Sequence, residues 1–313
     1  MTDPKLTRRH ALFAAAALPV AAALPSAIAT PARAAAEMQG ASFAPYNRFK
    51  LGTFEVTALL AGTRTVEGPT EIFGLNATPD EFSALSSANF IPTDKAQFFF
   101  TPTLVNTGAE LVLFDTGLAP EGITAALAAA GYTPDQVDVV VITHMHGDHV
   151  GGLGAAGAPT FANARYVTGG VEHNYWAGAG NEAFEASVKP LNDKFTFIDD
   201  AGTVASGITG MAAFGHSPGH MVYMIESNGQ RLAITADTAN HYVWSLQKPD
   251  WEVKFDMDKA AAAAARKQVF GMLAADRVPF IGYHMPFPAL GYVEPMGDGF
   301  RYVPASYQMM LNG

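Results

Sequence analysis

The 313-residue chain contains no cysteine. No disulfide can staple it, and no thiolate can ligate a metal or attack a substrate. Any metal site must therefore be built from His, Asp and Glu. Charge is also scarce, with Asp, Glu, Lys and Arg at 15% of residues and a formal net charge of −10. No lysine- or arginine-rich cluster interrupts that balance, which removes the electrostatic basis for nucleic-acid binding. What is abundant is apolar: 49% of the residues are hydrophobic and 11% aromatic. That argues against disorder and suffices for a full core.

The N-terminus reads as a targeting segment rather than as part of the fold. Thr7-Arg8-Arg9-His10-Ala11-Leu12 places paired arginines before an alanine-rich apolar stretch, and Ala32-Arg33-Ala34 is a small-x-small cleavage pattern. Residues 1–34 thus resemble a twin-arginine signal peptide. The resemblance implies the twin-arginine export machinery as a partner, cleavage near Ala34 and a periplasmic or secreted product. A membrane anchor is the competing reading, but Pro19 and Pro25 interrupt a weakly hydrophobic run. No later segment is long and apolar enough to span a bilayer. No linker composition appears after residue 34, so residues 35–313 are read as one domain.

Several strands are expected. Phe54–Leu60, Phe98–Val105 and Glu110–Phe114 are β-rich, the last two flanking a turn at Asn106-Thr107-Gly108-Ala109. Val139–Ile142 is a continuous β-branched run, as in a strand buried on both faces. Further strands are expected at 210–214, 221–226, 232–235 and 278–283. Helices are expected at 121–130, after Pro120, and at 258–275. Strand-helix-strand order through 110–143 implies a crossover unit, and the later hairpins imply mixed sheets. Residues 61–97 have weak periodicity and read as a lid, an interface loop or a plain surface excursion.

The central signal is Thr143-His144-Met145-His146-Gly147-Asp148-His149, three imidazoles and a carboxylate directly after a buried strand. Imidazole nitrogen and carboxylate oxygen both bind zinc at about 2.0–2.2 Å. Three weaker pieces follow: Gly215-His216-Ser217-Pro218-Gly219-His220 between two apolar strands, Asp237 after Ile234-Thr235-Ala236, and His284 after Gly282-Tyr283. Each alone could be a turn or a packing residue. Together they put six of the nine histidines in three short motifs, and each candidate sits at a strand end, where one rim of a sheet could collect them.

These pieces, with Phe114-Asp115-Thr116-Gly117, resemble the metallo-β-lactamase superfamily in order and spacing. The stretch GYHMPFPALGYVEPMGDGFRYVP from Gly282, with the opening LGTFEVTALL, is similar to the branch holding methyl parathion hydrolase and related lactone and aryl-ester hydrolases. The resemblance implies an α/β fold, an αββα sandwich of two mixed β-sheets flanked by helices. It implies that His144, His146 and His216 hold one metal, that Asp148, His149 and His284 hold a second, and that Asp237 bridges them. Asp115 would orient ligand loops through hydrogen bonds, and His220 would be structural or adjoin the ligands. A homodimer is a family-level expectation.

An all-oxygen and nitrogen donor set suits zinc, and also manganese, iron or cobalt. Two such divalent ions can share a hydroxide that attacks a carbonyl carbon or a phosphorus, with Asp148 or Asp237 shuttling the proton. The expected activity is hydrolysis of hydrophobic lactones or aryl esters, and of phosphotriesters by the same chemistry. Trp176, Tyr175, His241, Tyr242, Trp244 and Phe287 lie near the motifs and are candidates to line an apolar substrate pocket, or equally to pack in the core. The alternatives are a mononuclear iron oxidoreductase of the same fold, of the persulfide dioxygenase type, and a non-catalytic metal-binding protein.

Overall fold

A computed structural model describes residues 37–155 and 158–311. The twin-arginine segment of residues 1–34 lies outside the described residues. Val139–Ile142 is the central element, and its four side chains are all buried. It pairs in parallel with Leu111–Phe114 on one side and Arg165–Gly169 on the other. The sheet is completed by Tyr46–Leu51, Phe54–Leu59, Thr103–Asn106 and Phe195–Ile198, with spatial order following chain order across all seven strands. The turn at 106–109 forms as expected, with Thr103 opposite Phe114 and Asn106 opposite Leu111. Helix Pro120–Ala129 supplies the crossover between Leu111–Phe114 and Val139–Ile142.

The second seven-stranded sheet also keeps chain order: Thr203–Ala205, Ile208–Ala212, Met221–Ser227, Gln230–Ala236, Phe280–Gly282, Leu290–Met296 and Gly299–Pro304. Both sheets mix parallel and antiparallel pairs, as the expected sandwich requires. Val105, Val112, Val139 and Val141 face this sheet and share one apolar cluster with Tyr223, Ile225, Leu232 and Ile234. On the outer face of the first sheet, Leu113, Val140 and Ile142 cluster with Ile123 and Leu127 of the crossover helix. Alternate side chains of one valine-rich run thus serve two cores, which is why the run shows no polar alternation. Helix Lys259–Asp276 contributes Val269, Phe270 and Leu273 to the cluster that holds Phe280 and Phe300.

Three expectations need correction. The run 98–105 is two strands, Lys95–Phe100 and Thr103–Asn106, belonging to different sheets. Pro102 sits at the break, where its missing N–H is harmless. Residues 61–97 are not irregular. Gly62–Glu67 pairs antiparallel with Lys95–Phe100 in a two-stranded ribbon, and Pro79–Ala88 is a helix closed by a Thr78/Glu81 capping box. A hairpin at 290–304 follows the segment expected to be the last strand. Among the described residues, no helix is long and apolar enough to cross a membrane.

Candidate metal centre

The motif at 143–149 begins where Val139–Ile142 ends, and its first residue is fixed from the neighbouring strand. Thr143 donates its amide to Asp115 Oδ1 at 2.9 Å and its hydroxyl to Asp115 Oδ2 at 2.9 Å. Because that hydroxyl has given its proton away, its oxygen accepts from His144 Nδ1 at 3.2 Å. The lone pair of His144 is therefore on Nε2. His149 Nδ1 donates to the same Asp115 at 2.8 Å, so its Nε2 is the nitrogen that faces the site. Asp115 itself adopts a left-handed backbone, φ 59°, and so does Ala236 beside Asp237, φ 44°. Sharp bends at these strand ends turn the following side chains onto the rim.

His216 arrives from the loop between Ile208–Ala212 and Met221–Ser227. Its Nδ1 donates to Asp256 Oδ1 at 2.8 Å, and Asp256 Oδ2 accepts from Arg266 at 2.8 Å. Arg266 is fully buried and also donates to the carbonyls of Thr238 and Pro249. Gly215 brings this loop against helix Lys259–Asp276: a Cβ there would stand 2.1 Å from the Ala262 nitrogen, and φ is +130°. Glu172, buried, ties two ligand loops together. It accepts from the Met145 amide at 2.9 Å and, through its other oxygen, from Ser217 Oγ at 2.7 Å and the Gly219 amide at 2.8 Å. His284 Nδ1 donates to the Phe99 carbonyl at 2.9 Å.

The nitrogens left over converge. His144 Nε2, His146 Nδ1 and His216 Nε2 stand 3.0–3.1 Å from one another. At least two of them are bare lone pairs, so hydrogen bonding cannot hold all three together. Two nitrogens bound to one tetrahedral zinc would lie about 3.3 Å apart, close to what is seen. Nearby, His149 Nε2 and Asp237 Oδ1 face each other at 3.3 Å, both buried and without a hydrogen-bond partner. Buried atoms without a hydrogen bond call for an explanation, and a cation, or a proton on His149 in its absence, supplies it. Asp237 Oδ2 lies 3.4 Å from His216 Nε2 and 3.1 Å from His284 Nε2, and His284 Nε2 lies 3.3 Å from Asp148 Oδ2. Three groups result: His144, His146 and His216; His144, His149 and Asp237; and Asp148, His149 and His284, each with its donor atoms within 4.8 Å of one another. The residues fit two cations, with Asp237 between them.

The electrostatics agree. Burial, with His149 and His216 nearby, pushes His144 well below the usual imidazole range. Burial and His216 lower His146 to about 3. These rings are neutral and ready to donate. Burial alone would lower His284, but Asp237 and Asp148 hold it up at about 10. Burial likewise opposes the charge on His149, yet Asp115, Asp237 and Asp148 raise it well above its ordinary value. Without metal, then, two imidazolium ions neutralise the carboxylates in a cation's place.

All seven candidate ligands thus meet at one rim, and Asp115 and His220 lie beside them. His220 accepts the Asp237 amide at 3.2 Å, so it positions that aspartate. The six suggested pocket residues are distributed differently, and Tyr175 is exposed. The cavity over the centre, about 550 Å³, is walled by Val66, Ile72, Phe98, Phe100, Leu118 and Phe255, with Arg64 also on its lining. Trp176 is in the core beneath, donating to Glu172 at 2.6 Å and meeting His146 edge-on at 5.7 Å. Phe287 packs against the inter-sheet core. His241, Tyr242 and Trp244 line a separate cavity. Sequence reasoning also passed over Asp256, Arg266, Glu172 and Asn240, whose Nδ2 donates to Asp237 Oδ2 at 2.9 Å. None lies in a dense motif, and only the folded chain brings them in.

The metallo-beta-lactamase superfamily profile matches residues 101–280, and the chain belongs to that superfamily. An N-acyl homoserine lactonase of Bacillus cereus is 26% identical over 144 residues, 46% of this chain and 55% of that protein. The N-acyl homoserine lactonase AttM of Agrobacterium fabrum is 28% identical over 135 residues, 38% of this chain and 48% of that protein. The chain spans about half the length of these curated relatives. Among solved structures it is similar to AidC, a dizinc quorum-quenching lactonase in complex with the product N-hexanoyl-L-homoserine, with TM-score 0.78 and 26% identity over 84% of this chain and 98% of that one. The hydrolase AbOPH of the beta-lactamase superfamily shares the fold, with TM-score 0.77 and 23% identity over 86% and 100% of the two chains.

Two predictions follow from the geometry. Asp256→Asn should weaken metal binding by roughly 10–100-fold, because a ligand's outer hydrogen bond sets its orientation and basicity. Competition against a zinc chelator measures this, and unchanged affinity would show that His216 needs no such partner. Because neighbouring carboxylates raise His149 well above its ordinary value and His284 to about 10, metal must displace protons from both. Loading should release about two protons per chain, read with an indicator dye in weak buffer, and affinity should fall as pH falls. Release of no protons would contradict the paired charges described.

Proposed function

We propose that the chain is a dinuclear metal-dependent hydrolase, with zinc as the metal, acting on neutral lactones that carry an apolar acyl chain. N-acyl homoserine lactones are the chemical type. The observation that carries the reading is the cavity: apolar walls lead directly to Asp148, Asp237 and His284. The likeness to a dizinc lactonase over nearly that protein's whole length supports it.

Cations held in this centre supply Lewis acidity toward a carbonyl oxygen and make water a nucleophile near neutral pH. The rest is done by the chain. Phe98, Phe100, Val66 and Phe255 exclude water and seat the acyl chain, which strengthens the electrostatics at the carbonyl. Asp237, buried between the two ligand groups, holds them in one geometry. Asp148 keeps 23% of its side chain exposed, so it is placed to take the proton of the attacking water. Water oxygen bonds to the carbonyl carbon, the ring C–O bond breaks, and the proton passes from Asp148 to the ring-opened alkoxide. The products are an alcohol and a carboxylic acid on one molecule, and the acid loses its remaining proton to solvent to become a carboxylate.

Aryl esters and phosphotriesters could meet the same centre, and they are the comparison substrates. A mononuclear iron oxidoreductase would leave the Asp148, His149 and His284 group without a cation, so the hydrolase reading accounts for more of the site. The test is a panel on zinc-loaded protein. N-hexanoyl homoserine lactone should be turned over with kcat/KM at least about tenfold above phenyl acetate and paraoxon, without oxygen consumption. Asp237→Asn should lose about 100-fold or more, roughly the effect of removing one key electrostatic group. Faster cleavage of paraoxon than of the lactone would reject the substrate class, and oxygen uptake would reject the reaction class.

A further inference from the structure

The ribbon of Gly62–Glu67 and Lys95–Phe100 has a cavity on each side. Arg64, Val66, Phe98 and Phe100 line the one over the metal centre. Thr65, Lys95, Gln97 and Phe99, at alternate positions, line the other, of about 380 Å³, and Ala96 also reaches it. Two-residue periodicity therefore makes the ribbon a partition, with His284 reached from both sides.

The second cavity has a defined polar feature. His241 lines it and is 7% exposed. Its Nδ1 accepts from the Val243 and Trp244 amides at 3.2 and 3.1 Å. The proton is thereby fixed on Nε2, and no acceptor among the described residues meets it. The ring is held flat against Trp244, with centroids 3.8 Å apart and planes 17° apart. Burial lowers its pKa to about 3, so the group is a neutral donor at ordinary pH. Ile91, Pro92, Ala96, Phe99 and Pro286 form the apolar part of its walls, and Thr65, Lys95 and Gln97 the polar part.

We propose that this cavity is a second small-molecule site, distinct from the substrate cavity, for a neutral aromatic or compact apolar molecule bearing one carbonyl or ether acceptor for His241. A rigid donor in an apolar wall favours such a ligand, because leaving the donor unpaired beneath an occupant costs more than the bond contributes. A charged ligand would lose its hydration with no counter-charge at His241, since Lys95 on the lining is already paired with Glu67 at 3.1 Å. The proposal concerns binding alone, and only the N-hexanoyl homoserine arm of its test rests on the function proposed above.

Acetophenone is a suitable probe and ethylbenzene its control, titrated into full-length zinc-loaded protein while the His241 ring signals are followed by NMR. Acetophenone should shift the Nε2–H resonance saturably, and ethylbenzene should bind about tenfold more weakly. N-hexanoyl homoserine, added to fill the substrate cavity, should leave acetophenone binding unchanged. Ile91→Trp, at a half-buried position on the lining, should abolish binding while leaving metal content intact. Absence of a saturable shift, displacement by N-hexanoyl homoserine, equal affinity for ethylbenzene, or undiminished binding in Ile91→Trp would each overturn the proposal.

Discussion

Three imidazole nitrogens within 3.0–3.1 Å of one another, at least two of them without a proton to share, are a repulsive arrangement unless a cation lies among them. His149 Nε2 facing Asp237 Oδ1, both buried and without a hydrogen bond, likewise needs positive charge between them, a proton on the ring or a metal in its place. Much of the surrounding structure can be read as the means of enforcing that crowding. Asp115 holds His149 and Thr143, Asp256 with Arg266 holds His216, and the Phe99 carbonyl holds His284. Each outer bond leaves one ring nitrogen facing inward, its lone pair available to a metal once any proton on it is displaced. The outer hydrogen bonds are made within the chain itself, so the site is pre-organised rather than assembled by the metal.

The sandwich makes such enforcement possible. Ligands come from the ends of strands in both sheets, and strands packed on a shared core cannot shift independently. Where loops must approach closely, the sequence gives way. Gly219 lies where a Cβ would stand 2.1 Å from the Glu172 nitrogen, so Glu172 can bond both that loop and Met145. A single buried carboxylate thereby fixes the 143–149 loop relative to the 215–220 loop. The ribbon adds a third constraint, since its Phe99 carbonyl orients His284 while Phe98 and Phe100 wall the cavity.

The inner ligands were legible because they cluster. His144, His146, Asp148 and His149 lie within six residues after a run of valines and an isoleucine, a pattern with few other physical explanations. Val139–Ile142 was legible as doubly buried for the same reason. The ribbon was not, because Gly62-Thr63-Arg64-Thr65-Val66-Glu67 is mostly exposed and carries no apolar alternation. Missing it left unseen the wall of the cavity over the centre, which is formed by Phe98 and Phe100 rather than by Trp176 or Phe287. Asp256 and Glu172 were invisible for another reason. A lone acid in a loop or in the first turn of a helix reads as a surface residue, and only its burial against His216 or Ser217 shows what it does. Close sequence spacing thus reveals the ligands, whereas their supports depend on contacts made across the fold.

The central claim is that two cations share this rim with Asp237 between them. Anomalous diffraction at the zinc edge, from crystals of zinc-loaded protein, tests it most directly. The account predicts two peaks, one within bonding distance of His144, His146 and His216 and the other within bonding distance of Asp148, His149 and His284, with Asp237 touching both. A single peak, or two peaks with Asp237 bound to neither, would contradict it.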